Sequence, residues 1–273
     1  MRIEHTLSLR ADARRPIRVL VIGAGGTGSA ITMGLPYLDQ ALRVWGRFAG
    51  LEVLLMDADT VSETNCIRQP FSISDIGLSK ATVLINRINL FWGTNWKAEP
   101  RNFDERTFER IQDTSIDFLI GCVDSRAARS VIARSLVKSN NRIVYWLDLG
   151  NNSASGQFVL GQPWNARNRR SAERLRTVNE LYPEIADVKA GEEPLPSCSA
   201  VEALERQEPF INQTLAASAL TMLARLLRYG KIAYHGGFYN AATGKLTALP
   251  VDPALWRKTR LRNRKMHAKL PAR

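Results

Sequence analysis

Short apolar runs alternate with amphipathic stretches over the first half of the chain. Arg18-Val19-Leu20-Val21-Ile22 is β-branched, apolar and stopped by Gly23, the pattern of a strand buried on both faces of a parallel sheet. Ser29–Gly34 then opens a helix, and residues 35–50 read as an insertion with apolar content of its own. Glu52–Met56 predicts the second strand, ending at Asp57, and a polar stretch follows over Ser62–Ser74. Ser79 is placed to cap a helix over Lys80–Phe91, where Val83, Leu84, Ile88 and Phe91 recur at helical spacing. Ile116–Cys122, Ser125–Leu136 and Ile143–Leu149 predict a third strand, a third helix and a fourth strand. Strands alternating with helices imply βαβ units, hence an α/β, doubly wound, mainly parallel sheet over about residues 15–150.

Beyond residue 150 the alternation loosens. Gly156–Leu160 has strand character, whereas the Arg-rich Asn165–Arg176 and the Gly/Pro/Glu-rich Val188–Ser199 read as a loop or lid region. Pro209–Tyr229 is apolar around most of a helical surface and predicts a buried helix. Ile232–Tyr239 and Leu246–Val251, joined through Ala242-Thr243-Gly244, predict a hairpin and with it an antiparallel C-terminal extension of the sheet.

Charge adds a feature the pattern does not contain. The 273 residues carry 38 Lys/Arg against 26 Asp/Glu, a formal net charge of +12. Residues 254–273 hold eight of the basic residues, from Arg257 to Arg273, and no acid. Such a segment is either a solvated tail or a docking element for an acidic protein or nucleic acid, with Trp256 placed to anchor its root. Three cysteines with no C-x-x-C pair argue for a reducing, cytoplasmic setting and against a disulfide framework or a four-cysteine zinc site. Val19–Leu38 lacks charge but contains five glycines and Pro36, so it predicts a strand and turn rather than a membrane span.

Gly23-Ala24-Gly25-Gly26-Thr27-Gly28 fits G-x-G-x-x-G between a strand and a helix, where glycines let phosphate approach and the helix start offers free N–H groups. Asp57 stands where an acid would hold a ribose, so an NAD(P)-binding oxidoreductase accounts for the chain up to this point. The following segments do not suit a dinucleotide. Asn65, Arg68 and Lys80 follow the second strand, where loops rise at the carboxyl edge of the sheet, and two cations there fit the clustered charge of a triphosphate. Asp124, after the third strand, is placed to ligate Mg²⁺ or to cap the next helix.

Taken in order, G-x-G-G-x-G (Gly23–Gly28), D-x-D-x-V-x-x-x-N-x-x-R-Q (Asp57–Gln69), G-x-x-K-A (Gly77–Ala81) and Asp124 with Arg129 resemble the ThiF/MoeB superfamily of ubiquitin-activating-type adenylyltransferases. The version here resembles the ThiF-related family of the plasmid PRTRC cassettes. The resemblance implies a Rossmann-like fold that binds ATP and Mg²⁺ and adenylates the C-terminal carboxylate of a ubiquitin-like carrier protein. It implies that Gly23, Gly25, Gly26 and Gly28 lie against the nucleotide and Asp57 holds its ribose. Asn65, Arg68 and Lys80 would then hold the phosphates, and Asp124 the metal. It further implies a homodimer, with Arg10, Arg14 or Arg15 reaching the partner's triphosphate. Residues 1–253 would form one adenylation domain (nucleotide-binding core about 15–160, lid and sheet extension about 161–253), followed by the 254–273 tail. The family's zinc-binding C-x-x-C pairs are missing. Cys198, in Pro196-Ser197-Cys198-Ser199, is the candidate for a thioester, a structural cysteine being the alternative; Cys66 is expected to pack beside the nucleotide and Cys122 in the core. His5, His235 and His267 fit no catalytic motif. A catalytically idle relative that only binds a partner is the remaining alternative.

Overall fold

The computed structural model describes residues 3–111, 115–137, 141–169, 171, 174–187 and 208–258. A two-stranded ladder pairs β1 (His5–Thr6) with β8 (Lys231–Ile232). The main sheet has eight strands, in the order β10-β9-β7-β6-β5-β2-β3-β4. Five are parallel: β4 (Lys97–Glu99), β3 (Leu51–Met56), β2 (Ile17–Ile22), β5 (Phe118–Gly121) and β6 (Tyr145–Asn151). The sheet then turns antiparallel through β7 (Ser155–Gly161), β9 (Tyr234–Asn240) and β10 (Lys245–Pro250). The expected mainly parallel sheet with an antiparallel C-terminal extension is what the chain forms. The central strands are apolar on both faces because both are covered; Leu20, Val21, Leu55, Leu119, Ile120 and Leu147 are fully buried. Each such side chain contributes roughly 1.5–3 kcal/mol relative to exposure.

Sequence order reverses between β2 and β5. Crossovers leave these two neighbours in opposite directions, which opens a crevice beyond their carboxyl ends. The helices are α1 (Gly26–Trp45), α2 (Asn65–Arg68), α3 (Lys80–Trp92), α4 (Glu105–Ile111), α5 (Arg126–Val137), α6 (Val178–Leu181) and α7 (Ile211–Tyr229).

The insertion expected at 35–50 does not exist. α1 continues through Pro36 to Trp45 and stops at Gly46, whose φ of 67° supplies the left-handed cap. Proline costs an interior helix one hydrogen bond, but Ile31, Leu35, Leu38 and Leu42 continue the apolar stripe across it and are buried. α7 runs alongside in the same direction: a Cβ on Gly26 would strike Asn212 and one on Gly34 would strike Leu220, while Arg47, just past α1, donates to the Arg228 carbonyl near the end of α7. The late position of Asp57 therefore reflects one long helix rather than extra structure. Among the described residues no helix is long and apolar enough to cross a membrane.

Trp256, in a helical turn over 253–258, is buried edge-on against His235, so the root of the basic segment is anchored as expected. His235 itself is fully buried, with Nδ1 against the Leu160 carbonyl at 2.6 Å. Burial pushes its pKa down to about 4. The unfolded chain takes up this proton near the usual 6.5 and the folded chain only near 4, so acid favours unfolding. Stability is expected to fall by up to about 3 kcal/mol across that window, and urea midpoints measured against pH should lose that slope in His235→Gln. Identical slopes in the two proteins would assign the acid sensitivity to other groups.

Candidate active site

The glycine loop is shaped by close backbone contacts, and its glycines divide the work. Gly23 has φ 96°, and a Cβ there would stand 2.7 Å from the Cys122 carbonyl oxygen. A Cβ on Gly28 would stand 1.9 Å from the Gly23 carbonyl oxygen, so Gly28 lets α1 press against the loop and does not itself face the crevice. Gly25 has nothing within 4 Å on its open side. It is also the N-cap of α1 and supplies no side-chain cap, which leaves first-turn N–H groups for an anion. Gly25→Ala has an allowed backbone (φ −70°, ψ −157°) and is expected to leave the melting temperature within a few degrees. The added methyl faces the crevice, so thermal protection by Mg-ATP is expected to shrink; undiminished protection would remove Gly25 from the nucleotide surface.

Asp57 ties the loop to β3. Its Oδ2 accepts from Ala24 N at 2.6 Å and its Oδ1 from Asp59 N at 2.8 Å. Burial raises its pKa, with the two N–H bonds opposing the shift. The chain beyond it is zipped to the start of α3. Val61 N meets Leu78 O, Gly77 N meets Val61 O, and Lys80 N meets Asp59 O at 3.0 Å. Ser79 caps α3 as expected, accepting from Thr82 N. Lys80 is buried and its Nζ lies 2.9 Å from Asp59 Oδ2. Asp59 is therefore a positioning partner to which the sequence reading gave no role, although it is the second acid of D-x-D. The Asn65 side-chain oxygen accepts from Ser62 N at 2.9 Å, and that turn starts the short α2 which carries Arg68. Arg87 pins the same segment from behind, through the Pro70 carbonyl and Asp75.

The third wall follows β5. Asp124 is exposed and lines the crevice; Ser125, not Asp124, caps α5, accepting from Ala128 N at 3.1 Å. The capping alternative for Asp124 thus falls: the first-turn N–H of Ala128 goes to the hydroxyl of the next residue. Arg129 is buried. Its Nε lies 2.9 Å from Asp148 Oδ1 and its NH2 donates to the Val123 carbonyl, so it clamps the Asp124 turn onto β6. Burial raises the Asp148 carboxyl, against the pull of Arg129.

These walls enclose a cavity of about 840 Å³. Gly23, Gly25, Gly26, Asp57, Asn65, Arg68, Lys80 and Asp124 all line it; Gly28 does not. Cys122 lines it too, with its thiol pushed up by burial. Cys66 is part-buried against the core, with its thiol near the Ser62 carbonyl. Cys198 and His267 lie outside the described residues. Of the three N-terminal candidates, Arg15 is committed to Asp117 at 2.7 and 2.9 Å within its own chain, while Arg10 and Arg14 are exposed. His5 bonds the buried Tyr145 hydroxyl, away from the cavity lining. Among the described residues no cluster of three or more His, Cys, Asp or Glu could hold a metal unaided.

Sequence reasoning missed part of the lining. Arg101, Asn102 and Phe103 follow β4, a three-residue strand too short to announce itself. Asn151 ends β6, Asn152 lies in the turn after it and Gln157 in β7, while Asn212 comes from the first turn of α7, where Thr27 donates to it at 2.8 Å. The one available signal was a polar Asn in the first turn of a helix whose buried side is otherwise apolar.

The model of the ThiF family matches residues 10–250. The NEDD8-activating enzyme E1 catalytic subunit of Arabidopsis thaliana is 37% identical over 111 residues, which are 40% of this chain and 21% of that one. E. coli MccB solved with MccA superposes with a TM-score of 0.58 at 15% identity, covering 89% of this chain and 66% of MccB. E. coli MccB solved with ATP gives 0.57 at 16% identity, covering 88% and 65%. PaaA gives 0.57 at 13% identity, covering 86% and 64%. At these identities the structures share the fold. The chain spans about a fifth of the plant enzyme's length and about two thirds of the MccB and PaaA chains.

Proposed function

We propose that this chain, which belongs to the ThiF family, binds ATP in the cavity above β2, β3 and β5 and transfers AMP to the C-terminal carboxylate of a ubiquitin-like partner. The supporting observation is convergence. The uncapped start of α1, Arg68, Lys80 and Asp124 come from three separate crossovers and face one cavity of about 840 Å³. A nicotinamide dinucleotide leaves Arg68 and Lys80 facing Asp124 without a task, whereas a nucleoside triphosphate with its metal uses all three. The solution of MccB, which shares the fold, with ATP points the same way.

Each lining group has a task in this reading. Asp57, whose oxygens each accept one backbone N–H, keeps lone pairs for the ribose hydroxyls. The α1 start, Lys80 and Arg68 take the phosphates, with Asn65 holding the turn that carries Arg68. The donor set suits Mg²⁺: Asp124, an exposed carboxylate on the cavity wall, fits an ion that keeps waters and draws its remaining ligands from phosphate oxygens. Held by Asp124, Mg²⁺ would offset the charge of the departing pyrophosphate. The partner's carboxylate is ionised at neutral pH, so no general base is required. Its oxygen bonds to the α-phosphorus, the bond to the bridging oxygen breaks, and an acyl-adenylate and pyrophosphate result. The chain contributes alignment and preplaced charge.

In the same reading residues 1–253 act as one adenylation domain of a cytoplasmic homodimer. Arg10 or Arg14 is then the residue offered to the partner protomer, since Arg15 is engaged at home. The PRTRC-type assignment and a thioester on Cys198 extend the proposal further. Incubation with a co-encoded ubiquitin-like protein, ATP and Mg²⁺ is expected to add the mass of AMP to that protein and to support carrier-dependent pyrophosphate exchange. A carrier adduct lost in Cys198→Ala would assign the thioester. Absence of exchange with every candidate carrier, together with thermal protection by NAD instead of Mg-ATP, would overturn the reading.

A further inference from the structure

The end of the molecule opposite the cavity carries charge that no acid answers. α1 and α7 run parallel, so their carboxyl-terminal ends emerge side by side, about 30 Å from the glycine loop by the length of the 20-residue α1. Arg47, Arg225 and Arg228 gather there with Trp45 and Tyr229. Arg228 lies over the Trp45 ring (5.2 Å to the centroid) and the Tyr229 ring (5.3 Å), and Arg225 lies over Tyr229 (5.2 Å). Arg47 donates to the Arg228 carbonyl at 2.7 Å. None of the three pairs with a carboxylate among the described residues. Of the acids nearby, Asp39 is paired with Arg43 at 3.0 Å and Glu4 with Lys231 at 2.8 Å, while Asp12, whose backbone bridges Phe48, accepts from Arg14 N.

Cations at helix carboxyl ends offset the helix dipole, and Arg47 serves that purpose through its hydrogen bond. Dipole compensation does not ask for three guanidinium groups, two of them exposed and braced on aromatic faces. A ring contact restrains a guanidinium without using up its N–H donors, and its planar fork matches phosphate oxygens in pairs. A nucleic-acid backbone suits this surface better than an acidic polypeptide, because its closely spaced charges need no matching register. It also suits a chain of net charge +12.

We infer that the joined carboxyl-terminal ends of α1 and α7 form a docking surface for a nucleic-acid backbone, with Arg47, Arg225 and Arg228 as its phosphate contacts. The surface is remote from the cavity, so the chain can hold nucleic acid and ATP together.

The test compares the full wild-type chain with Arg47→Gln/Arg225→Gln/Arg228→Gln by fluorescence anisotropy on labelled DNA and RNA strands of roughly 20 nucleotides and their duplexes. Both proteins keep the basic C-terminal segment, so the difference between them reports the patch alone. Across roughly 50–200 mM salt, the triple variant is expected to bind about tenfold or more weakly, with a log–log salt slope shallower by about 2–3. Thermal protection by Mg-ATP should be unchanged. If the triple variant does not fold, Arg225→Gln alone, an exposed side chain that rests on the Tyr229 ring, should lower the slope by about 0.7–0.9. Equal affinities and slopes in wild type and variant would overturn the inference. So would polyglutamate displacing the strand as well as unlabelled strand does, which would assign the surface to an acidic polypeptide.

Discussion

Lys80→Ala is expected to lower carrier-dependent pyrophosphate exchange by about 10²–10³-fold, the usual cost of removing a preplaced charge from a reacting phosphate. The side chain is 8% exposed and its ammonium is held by Asp59 at 2.9 Å, so its position is fixed before any nucleotide arrives. Removing it leaves Asp59, itself 69% exposed, to water, and the fold should survive with only a small loss in melting temperature. That separates lost chemistry from lost structure. Lys80→Arg should recover only part of the rate, because a planar fork does not replace a compact ammonium in a buried slot. Asp59→Asn keeps the charge but loosens it, and should raise KM for ATP more than it lowers kcat. Exchange at the wild-type rate in Lys80→Ala would detach this lysine from the phosphates and would weaken the adenylation reading with it.

The second large effect is on stability. Asp148→Ala leaves the guanidinium of Arg129 buried without its partner, which costs about 3–5 kcal/mol in comparable cases. Urea unfolding should show the midpoint moving sharply with little change in slope. The double variant Arg129→Met/Asp148→Leu removes both charges and is expected to regain most of that loss, since a well-packed apolar pair stabilises about as well as a buried ion pair. Its activity should not return. Arg129 also donates to the Val123 carbonyl at 2.8 Å, and without that bond the turn bearing Asp124 is no longer held to β6. A double variant that recovers both stability and exchange would reduce Arg129 to a packing residue. A double variant as unstable as Asp148→Ala would show that the fold requires the hydrogen bonds of the pair itself, not merely the absence of an unpaired charge.

Much of the candidate site was legible along the chain, and the reason is local. A strand ending in a glycine loop, an acid ending the next strand, and a capped helix starting at Lys80 are each set by a few neighbouring residues. Their backbone chemistry permits little else: Gly23 adopts a positive φ, and Ser79 offers its hydroxyl to the first turn of α3. Parallel strands then bring those loop ends to one edge regardless of what lies between them. The sequence therefore determined the alternation of elements, the parallel sheet with its antiparallel extension, and the set Gly25, Asp57, Asn65, Arg68, Lys80 and Asp124 that lines a common cavity.

Only the tertiary structure decided the rest. The insertion expected at 35–50 gives way to an α1 that continues through Pro36 against α7, because burial of one continuous apolar stripe outweighs a single missing hydrogen bond. The partnership of Asp59 with Lys80, the clamp of Arg129 on Asp148, and the withdrawal of Arg15 toward Asp117 join residues 21, 19 and 102 positions apart. Charged side chains at such distances are chosen by which surfaces the fold brings within reach of one another. No local pattern encodes that choice, whereas the periodicity that builds each strand and helix is written residue by residue.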